Sequence, residues 1–379
     1  MTAPITIIGS GFAAYQLVKS IRRQDNSVSI RVITADDGHD YNKPDLSHVF
    51  SKQQQVSDVI TLKSEAFAQQ YHVELLTNHQ VTSVDAEAQT VTSNEKTYSY
   101  SSLVFATGAT PFVPPFAGSA NNRIMTLNSL KEFERYQTDI STSKHMLLIG
   151  GGLIGVELAL DLANSGKKVT LVEPNTTLMQ NLLPEYVAEK LTQALKCNQV
   201  VVHTEVTVTE LHEREEEIIT AQLNDGSKIE ADSVMVCAGL KPNVALAEKS
   251  GLAVNRGICV NSQLQTSQPN IYALGDCAEL DGQVRAYLQP TLMSATALAK
   301  TLLGSPSAVN LPSMMIKVKT PSYPIQVAGI TDSKQVTRWN MDIDATGIIA
   351  KAFDEKETLI GFVVTEQKVT QAFTLLRAL

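Results

Sequence analysis

The chain has 379 residues, with 31 Lys and Arg against 39 Asp and Glu and a formal net charge of −8. That length is more than one hydrophobic core usually serves, so two or three domains are expected, and the negative balance argues against general nucleic-acid affinity. No apolar run reaches membrane-spanning length and no signal peptide opens the chain, so a cytoplasmic protein without a membrane partner is expected.

In chain order, Ile5–Ile8 reads as a short buried strand. Gly9, Ser10, Gly11, Phe12, Ala13 and Ala14 then form a G-x-G-x-x-A turn into a helix, and residues 29–33 make a second strand. In this βαβ pattern an acid normally closes the second strand and holds a ribose. Ala35 stands in that place, which leaves Asp36 or a backbone group for the task. The loop 41–47 follows, where Pro44 disfavours helix at Lys43. Lys43 is either a solvated charge or, one loop after a nucleotide-binding pattern, an active-site residue. Residues 81–100 read as a hairpin. A buried strand at 103–108 breaks at Gly108, and Pro111, Pro114 and Pro115 mark a domain boundary.

The segment 146–173 is a complete dinucleotide-binding unit. Its first strand is apolar, Gly150, Gly152 and Gly155 make G-x-G-x-x-G, Ile154, Leu158 and Leu162 recur at helical spacing, and the second strand ends at Glu173. The first glycine permits the tight turn, the second lets backbone N–H groups approach a pyrophosphate, and the third lets the helix lie close on the sheet. Glu173 suits the 2′-hydroxyl of an adenosine ribose and repels a 2′-phosphate, and no Arg follows in 174–178, so NADH is expected over NADPH.

A helix is predicted at 184–196 and strands at 200–203 and 206–211, with the acidic run 213–217 on a solvated turn or strand edge. The strand 232–239 ends at Gly239 and mirrors 103–108, which makes the two halves structural cousins. At 271–279 a strand ending in Gly-Asp and opening a helix would bring Asp276 and a helix N-terminus to one spot, suited to a hydroxylated chain and a phosphate; a plain helix cap is the alternative. A helix is predicted at 290–303. Strands at 325–328, 336–340, Gly347–Phe353 and Leu359–Thr365, with a helix from Lys368, suggest a small α+β domain.

The motifs GSGFAA (9–14), YNKPDLS (41–47), FATGA (105–109), GGGLIGVELA (150–159), GLKPN (239–243) and IYALGDCAE (271–279) come in the order and spacing of the two-dinucleotide-domain flavoprotein reductases. With NRGICV (255–260), LQTS (264–267) and VKTP (318–321), the whole chain most resembles the rubredoxin reductases, and among them the NADH:flavorubredoxin reductases of bacterial nitric oxide detoxification. The resemblance implies an α/β fold with two Rossmann-like domains, glutathione-reductase-like, plus the small C-terminal domain. FAD would take 1–110 with 244–320, NAD(H) would take 111–243, and 321–379 would stand apart. FAD would lay its pyrophosphate on 9–14 and its ribityl side near Asp276, with further contacts from Thr34, Ala35, Lys43, Val81, Leu288 and Lys319 and from Thr107 and Gly108. NAD(H) would meet Gly150, Gly152, Leu153, Ile154, Gly155, Glu157, Glu173 and Gly239. Lys43 and Glu157 would pair beside the flavin N5 edge, where the lysine stabilises charge on the reduced ring.

Disulfide reductases of this fold set cysteines against the flavin, and the matching segment 41–47 has none. Four cysteines, Cys197, Cys237, Cys259 and Cys277, lie far apart without a Cys-x-x-Cys pair, and the seven histidines show no ligand spacing. Reduced thiols, no metal and no thiol relay are expected, with a structural role for Cys277. Hydride from NADH would reach FAD and leave as single electrons, which suits a one-electron iron protein, rubredoxin or the rubredoxin domain of flavorubredoxin. Rubredoxins are generally acidic, so docking would use local basic residues, with Lys43, Arg285, Lys317 and Lys319 as candidates. The alternatives are an NADH:ferredoxin reductase of an oxygenase system, an alkane-hydroxylase-type rubredoxin reductase, or a nucleotide-sensing scaffold with structural FAD. The short C-terminal region favours a monomer.

Overall fold

The computed structural model describes residues 3–214, 218–332 and 334–379. The chain forms two compact units, one of Met1–Lys43, Val56–Thr110 and Leu240–Pro312, the other of Pro44–Gln55, Pro111–Gly239 and Ser313–Leu379.

The first unit is built on a five-stranded parallel sheet in the order Ile271–Ala273, Ser102–Phe105, Ile5–Ile8, Ile30–Ile33, Glu74–Leu76. Strands covered on both faces read as mostly apolar runs, which is why ITII, IRVI and SLVF were legible despite one polar residue in each. Helix Phe12–Arg22 shares one core with Leu288–Leu302 through Ala14, Leu17, Val18, Ile21, Ala295 and Leu298. A second cluster takes in Ile8, Ile33, Leu103 and Phe105 with Val81 and Val91. The region 81–100 is a three-stranded antiparallel sheet of Val81–Asp85, Thr90–Ser93 and Lys96–Ser99, one strand more than a hairpin.

The second unit repeats the plan, with parallel strands in the order Ile124–Met125, Ser233–Val236, His145–Ile149, Lys168–Glu173, Val200–Thr204. An antiparallel trio, Val208–Glu213, Ile219–Leu223 and Lys228–Ala231, packs on it through Leu211, Ala221 and Val234. Glu213 of the predicted acidic run ends one of these strands, while 215–217 lie outside the described residues. The C-terminal sheet is antiparallel, in the order Met315–Val318, Ile325–Gly329, Leu359–Thr365, Gly347–Phe353, Arg338–Asp344. The domain over 321–379 packs closely on its neighbour: Val327, Ile348, Ala350 and Val363 sit in one core with Val156, Leu160 and Leu191 of the nucleotide-type domain. Segment 313–320, expected beside FAD, belongs to this unit because Met315–Val318 is an edge strand of that sheet.

Two expectations need correction. No helix opens at Asp276: Gly275–Cys277 is a 3₁₀ turn, and Ala278–Leu280 pairs with Ile258–Val260 as a short buried strand. The helix begins only at Leu288, after a turn through Asp281 and Gly282, both at positive φ. At the C-terminus a 3₁₀ turn, Glu366–Gln371, precedes the short helix Ala372–Leu376. Among the described residues no helix is long and apolar enough to cross a membrane, and no cluster of His, Cys, Asp and Glu could hold a metal.

Candidate functional site

In the first unit, Gly9 sits at φ +109° and a Cβ there would lie 2.4 Å from the Ala106 carbonyl oxygen, so the turn demands glycine. Gly11 is different. Its φ of −72° and ψ of −178° suit any residue, and a Cβ would meet no heavy atom within 4 Å. Neither backbone nor packing among the described residues asks for glycine here, and the loop leaves open space beside it. Helix Phe12–Arg22 has no side-chain cap at this end, so its first N–H groups are open to an anion. Ala14 fills the third position fully buried. Ser10 Oγ and Thr34 Oγ1 share a buried hydrogen bond of 2.8 Å, which ties the glycine loop to the end of the second strand. Ala35 is exposed.

The 3₁₀ turn holding Asp276 approaches this loop closely, since a Cβ on Gly275 (φ +80°) would fall 2.6 Å from that of Ala13. Asp276 Oδ2 lies 3.6 Å from Lys43 Nζ. The strand ending at Phe105 is fixed beyond its end by Asn243: Thr107 Oγ1 donates to the Asn243 carbonyl at 2.9 Å, and Asn243 Nδ2 donates to the Thr107 carbonyl at 2.8 Å. Asn243 belongs to a motif quoted above but was not singled out, and its fastening role needs the fold to be seen. Gly108 turns at φ +66°, Val81 is buried, and Leu288 is exposed at the start of its helix.

In the second unit the same pattern returns. A Cβ on Gly150 (φ +112°) would lie 2.5 Å from the Cys237 carbonyl oxygen, and one on Gly155 only 1.9 Å from that of Gly150. Gly152, at φ −75° and ψ −173°, again meets nothing within 4 Å, and helix Leu153–Asn164 starts uncapped. Leu153 opens that helix, Ile154 is exposed on its first turn, and Gly239 turns at φ +104°. Gly151, not singled out in the sequence, is constrained as well: a Cβ there would lie 2.5 Å from Leu178 Cδ2 and 3.0 Å from Glu173 Cβ. Glu173 is buried, with Oε2 accepting the Gly151 N–H at 2.6 Å and Oε1 accepting the Asn175 N–H at 2.9 Å and its Nδ2 at 2.5 Å.

Helix Leu153–Asn164 is enclosed on nearly every side, and two of its buried residues, Glu157 and Asp161, are acids one turn apart. Buried carboxylates need donors, and the chain supplies them from two distant segments. Glu157 Oε2 accepts the Ser47 hydroxyl at 2.7 Å and Oε1 the Lys319 N–H at 2.9 Å. Asp161 accepts the Phe50 N–H at 2.8 Å, the Ser51 N–H at 3.3 Å and the Ser51 hydroxyl. Lys319 Nζ donates to the Pro44 carbonyl at 2.7 Å. These bonds explain why 44–55 belongs to the second unit. Lys43 and Glu157, expected as partners, thus take different ones, Asp276 for the lysine and Ser47 with Lys319 for the acid. His48 Nε2, buried without a hydrogen-bond partner among the described residues, lies 3.7 Å from Glu157 Oε2. Burial and then the Lys319 charge hold its imidazole below the ordinary histidine range, against the pull of Glu157.

Two of the four thiols are shut away from reaction. Cys277 is fully buried with Sγ 3.4 Å from the Leu274 carbonyl oxygen, and burial raises its pKa. Cys237 keeps some residue surface, but its enclosed thiol is pushed up to about 12 by desolvation. Cys197 is exposed. Thiolates are the reactive species, so iodoacetamide at neutral pH is expected to label Cys197 first and to leave NADH-dependent electron delivery within about 20 % of the untreated rate. Loss of most activity on alkylation would revive a sulfur relay.

The pyridine nucleotide-disulphide oxidoreductase family matches residues 3–300, and a rubredoxin binding C-terminal domain matches 308–379. The chain is 53% identical over 379 residues to a protein of Aliivibrio fischeri named nitric oxide reductase FlRd-NAD(+) reductase, covering 100% of this chain and 99% of that one. A protein of the same name from Escherichia coli is 43% identical over 381 residues, covering 100% of each. Among solved structures, the ferredoxin reductase for the CYP199A2 system of Rhodopseudomonas palustris superposes with a TM-score of 0.90 over 99% of this chain and 94% of its own, at 24% identity. That last likeness is one of fold.

Proposed function

Because the chain belongs to the pyridine nucleotide-disulphide oxidoreductase family, we propose that it is a cytoplasmic NADH-dependent FAD reductase delivering electrons to the rubredoxin domain of a flavorubredoxin in a nitric oxide reductase system. The observation that carries the acceptor is the rubredoxin-binding match over 308–379, joined to full-length relatives named for that reduction. Support for two nucleotides comes from Gly11 and Gly152, glycines that nothing in the protein itself requires. We assign FAD to the first loop and NADH to the second. FAD held at the first loop would supply two-electron acceptance from a reduced nicotinamide and one-electron release.

The residues divide the remaining work. The open helix ends at Phe12 and Leu153 receive the pyrophosphates. Asp276 offers acceptor oxygens to ribityl hydroxyls, with Lys43 close enough to balance its charge. Glu173 reads the adenosine ribose. Lys317, exposed, and Lys319 lie in the segment matched to rubredoxin binding and supply part of a basic docking surface, with Lys43 and Arg285 as further candidates. Such steering weakens as salt rises.

The test is a panel of purified acceptors. Rubredoxin is expected to turn over at least about tenfold faster than a [2Fe–2S] ferredoxin, a difference of about 1.4 kcal/mol, and kcat/KM for NADH to exceed that for NADPH. A ferredoxin preference would establish the oxygenase-type reductase instead, and flavin that NADH fails to bleach would point to the scaffold.

A further inference from the structure

The carboxylate of Glu173 is unusually well occupied before any nucleotide arrives. An ionised carboxylate offers about four lone-pair sites, and three are taken: Oε2 by the Gly151 N–H at 2.6 Å, Oε1 by the Asn175 N–H at 2.9 Å and by the Asn175 side-chain amide at 2.5 Å. The loop carrying Asn175 is itself anchored, since the Glu205 N–H donates to the Asn175 carbonyl at 2.9 Å and the Met179 N–H to the Gly151 carbonyl at 2.9 Å. Leu178 closes over Gly151, where an added Cβ would lie 2.5 Å from Leu178 Cδ2 and push that side chain aside. The acid is thus held in one plane, with one acceptor site left.

We propose that Asn175 is a positioning residue for nucleotide choice: by clamping Oε1 from both its backbone and its side chain, it aims the remaining lone pair of Glu173 at a ribose hydroxyl and prevents the carboxylate from swinging aside for a 2′-phosphate. The inference rests on the reading of Glu173 as the ribose-binding acid and goes beyond it, because it places the discrimination in a neighbour that need not touch the nucleotide. Without the amide, Oε1 loses a charge-assisted donor and keeps only the backbone N–H of residue 175, so the carboxylate turns aside more readily. NADH must then reorder it on binding, and NADPH meets an acid that can retreat. The two nucleotides respond in opposite directions, which damage to the loop alone does not produce.

The experiment compares wild type, Asn175→Ala and Asn175→Ser in the FAD-loaded enzyme, with initial rates in NADH and NADPH, dissociation constants from equilibrium titration, and thermal unfolding. For Asn175→Ala the KM and Kd for NADH are expected to rise about tenfold, the low end for a hydrogen bond to a charged group, with kcat within about twofold. NADPH efficiency is expected to hold or rise. Asn175→Ser, which keeps a short donor, should recover much of the NADH affinity. An unchanged NADH to NADPH ratio in Asn175→Ala, or an equal fall for both nucleotides, overturns the role of Asn175. A wild-type enzyme that itself prefers NADPH overturns the reading of Glu173 instead, so the two failures are told apart.

Discussion

Gly155→Ala is expected to lose about a hundredfold in kcat/KM for NADH and to unfold at a clearly lower temperature, while Gly152→Ala loses nucleotide affinity but keeps its stability. The added methyl at 155 would sit 1.9 Å from the Gly150 carbonyl oxygen, a backbone atom that cannot turn away. Helix Leu153–Asn164 must therefore back off from the turn by more than an ångström. Overpacking of this kind costs about 1–3 kcal/mol and sometimes more, and a misplacement of that size at a binding loop is worth about two orders of magnitude in rate. At 152 the methyl enters space that the protein leaves empty. It should shift the unfolding midpoint by no more than about 2 °C, since changes outside packed sites fall within about 0.5 kcal/mol, yet raise KM for NADH about tenfold by taking the place of the pyrophosphate. Both variants should retain their flavin, because the other glycine loop is untouched. Equal destabilisation by the two substitutions would show that the emptiness at Gly152 has been misread.

The second large effect is expected at Asp161. Replacing it by alanine strips the Phe50 and Ser51 N–H groups and the Ser51 hydroxyl of their acceptor, in a place where water does not readily substitute. Hydrogen bonds to a charged group are worth about 1.5–3 kcal/mol, and orphaned buried donors add their own penalty, so a total loss of about 3–4 kcal/mol is expected. Asp161→Asn, which keeps one acceptor oxygen, should cost roughly half as much. Limited proteolysis localises the effect: cleavage within 44–55 should accelerate in Asp161→Ala before the rest of the chain is attacked. Protection equal to wild type in that segment would mean that the other anchors, Ser47 to Glu157 and Lys319 to Pro44, hold it unaided.

What the sequence made legible, and what it hid, follows from the range of the interactions. The central parallel strands and both glycine loops were readable because a doubly covered strand is mostly apolar, and because tight turns and close approach leave few choices besides glycine, whereas the edge strands Glu74–Leu76 and Ile124–Met125 were not read. Gly347–Phe353 and Leu359–Thr365 were placed to the residue for a similar reason, being long alternating or apolar runs bounded by turns. Asp276 was misread because Gly-Asp before apolar residues looks the same whether a helix or a 3₁₀ turn follows. The pairing of Ala278–Leu280 with Ile258–Val260 decides it, and that is a tertiary fact. Glu157 and Asp161 were visible as acids in an apolar helix, but their partners lie 110 or more residues away in the chain, so nothing local names Ser47 or Ser51. The same distance hid His48.

The seclusion of the thiols has a consequence for durability. Nitrosating and oxidising agents attack a thiolate, and they need to reach it. Cys277 is shut inside the protein and Cys237 holds its proton far above neutral pH, so neither sulfur readily presents a thiolate to such agents. Cys197 remains as the exposed place where such chemistry first leaves a mark.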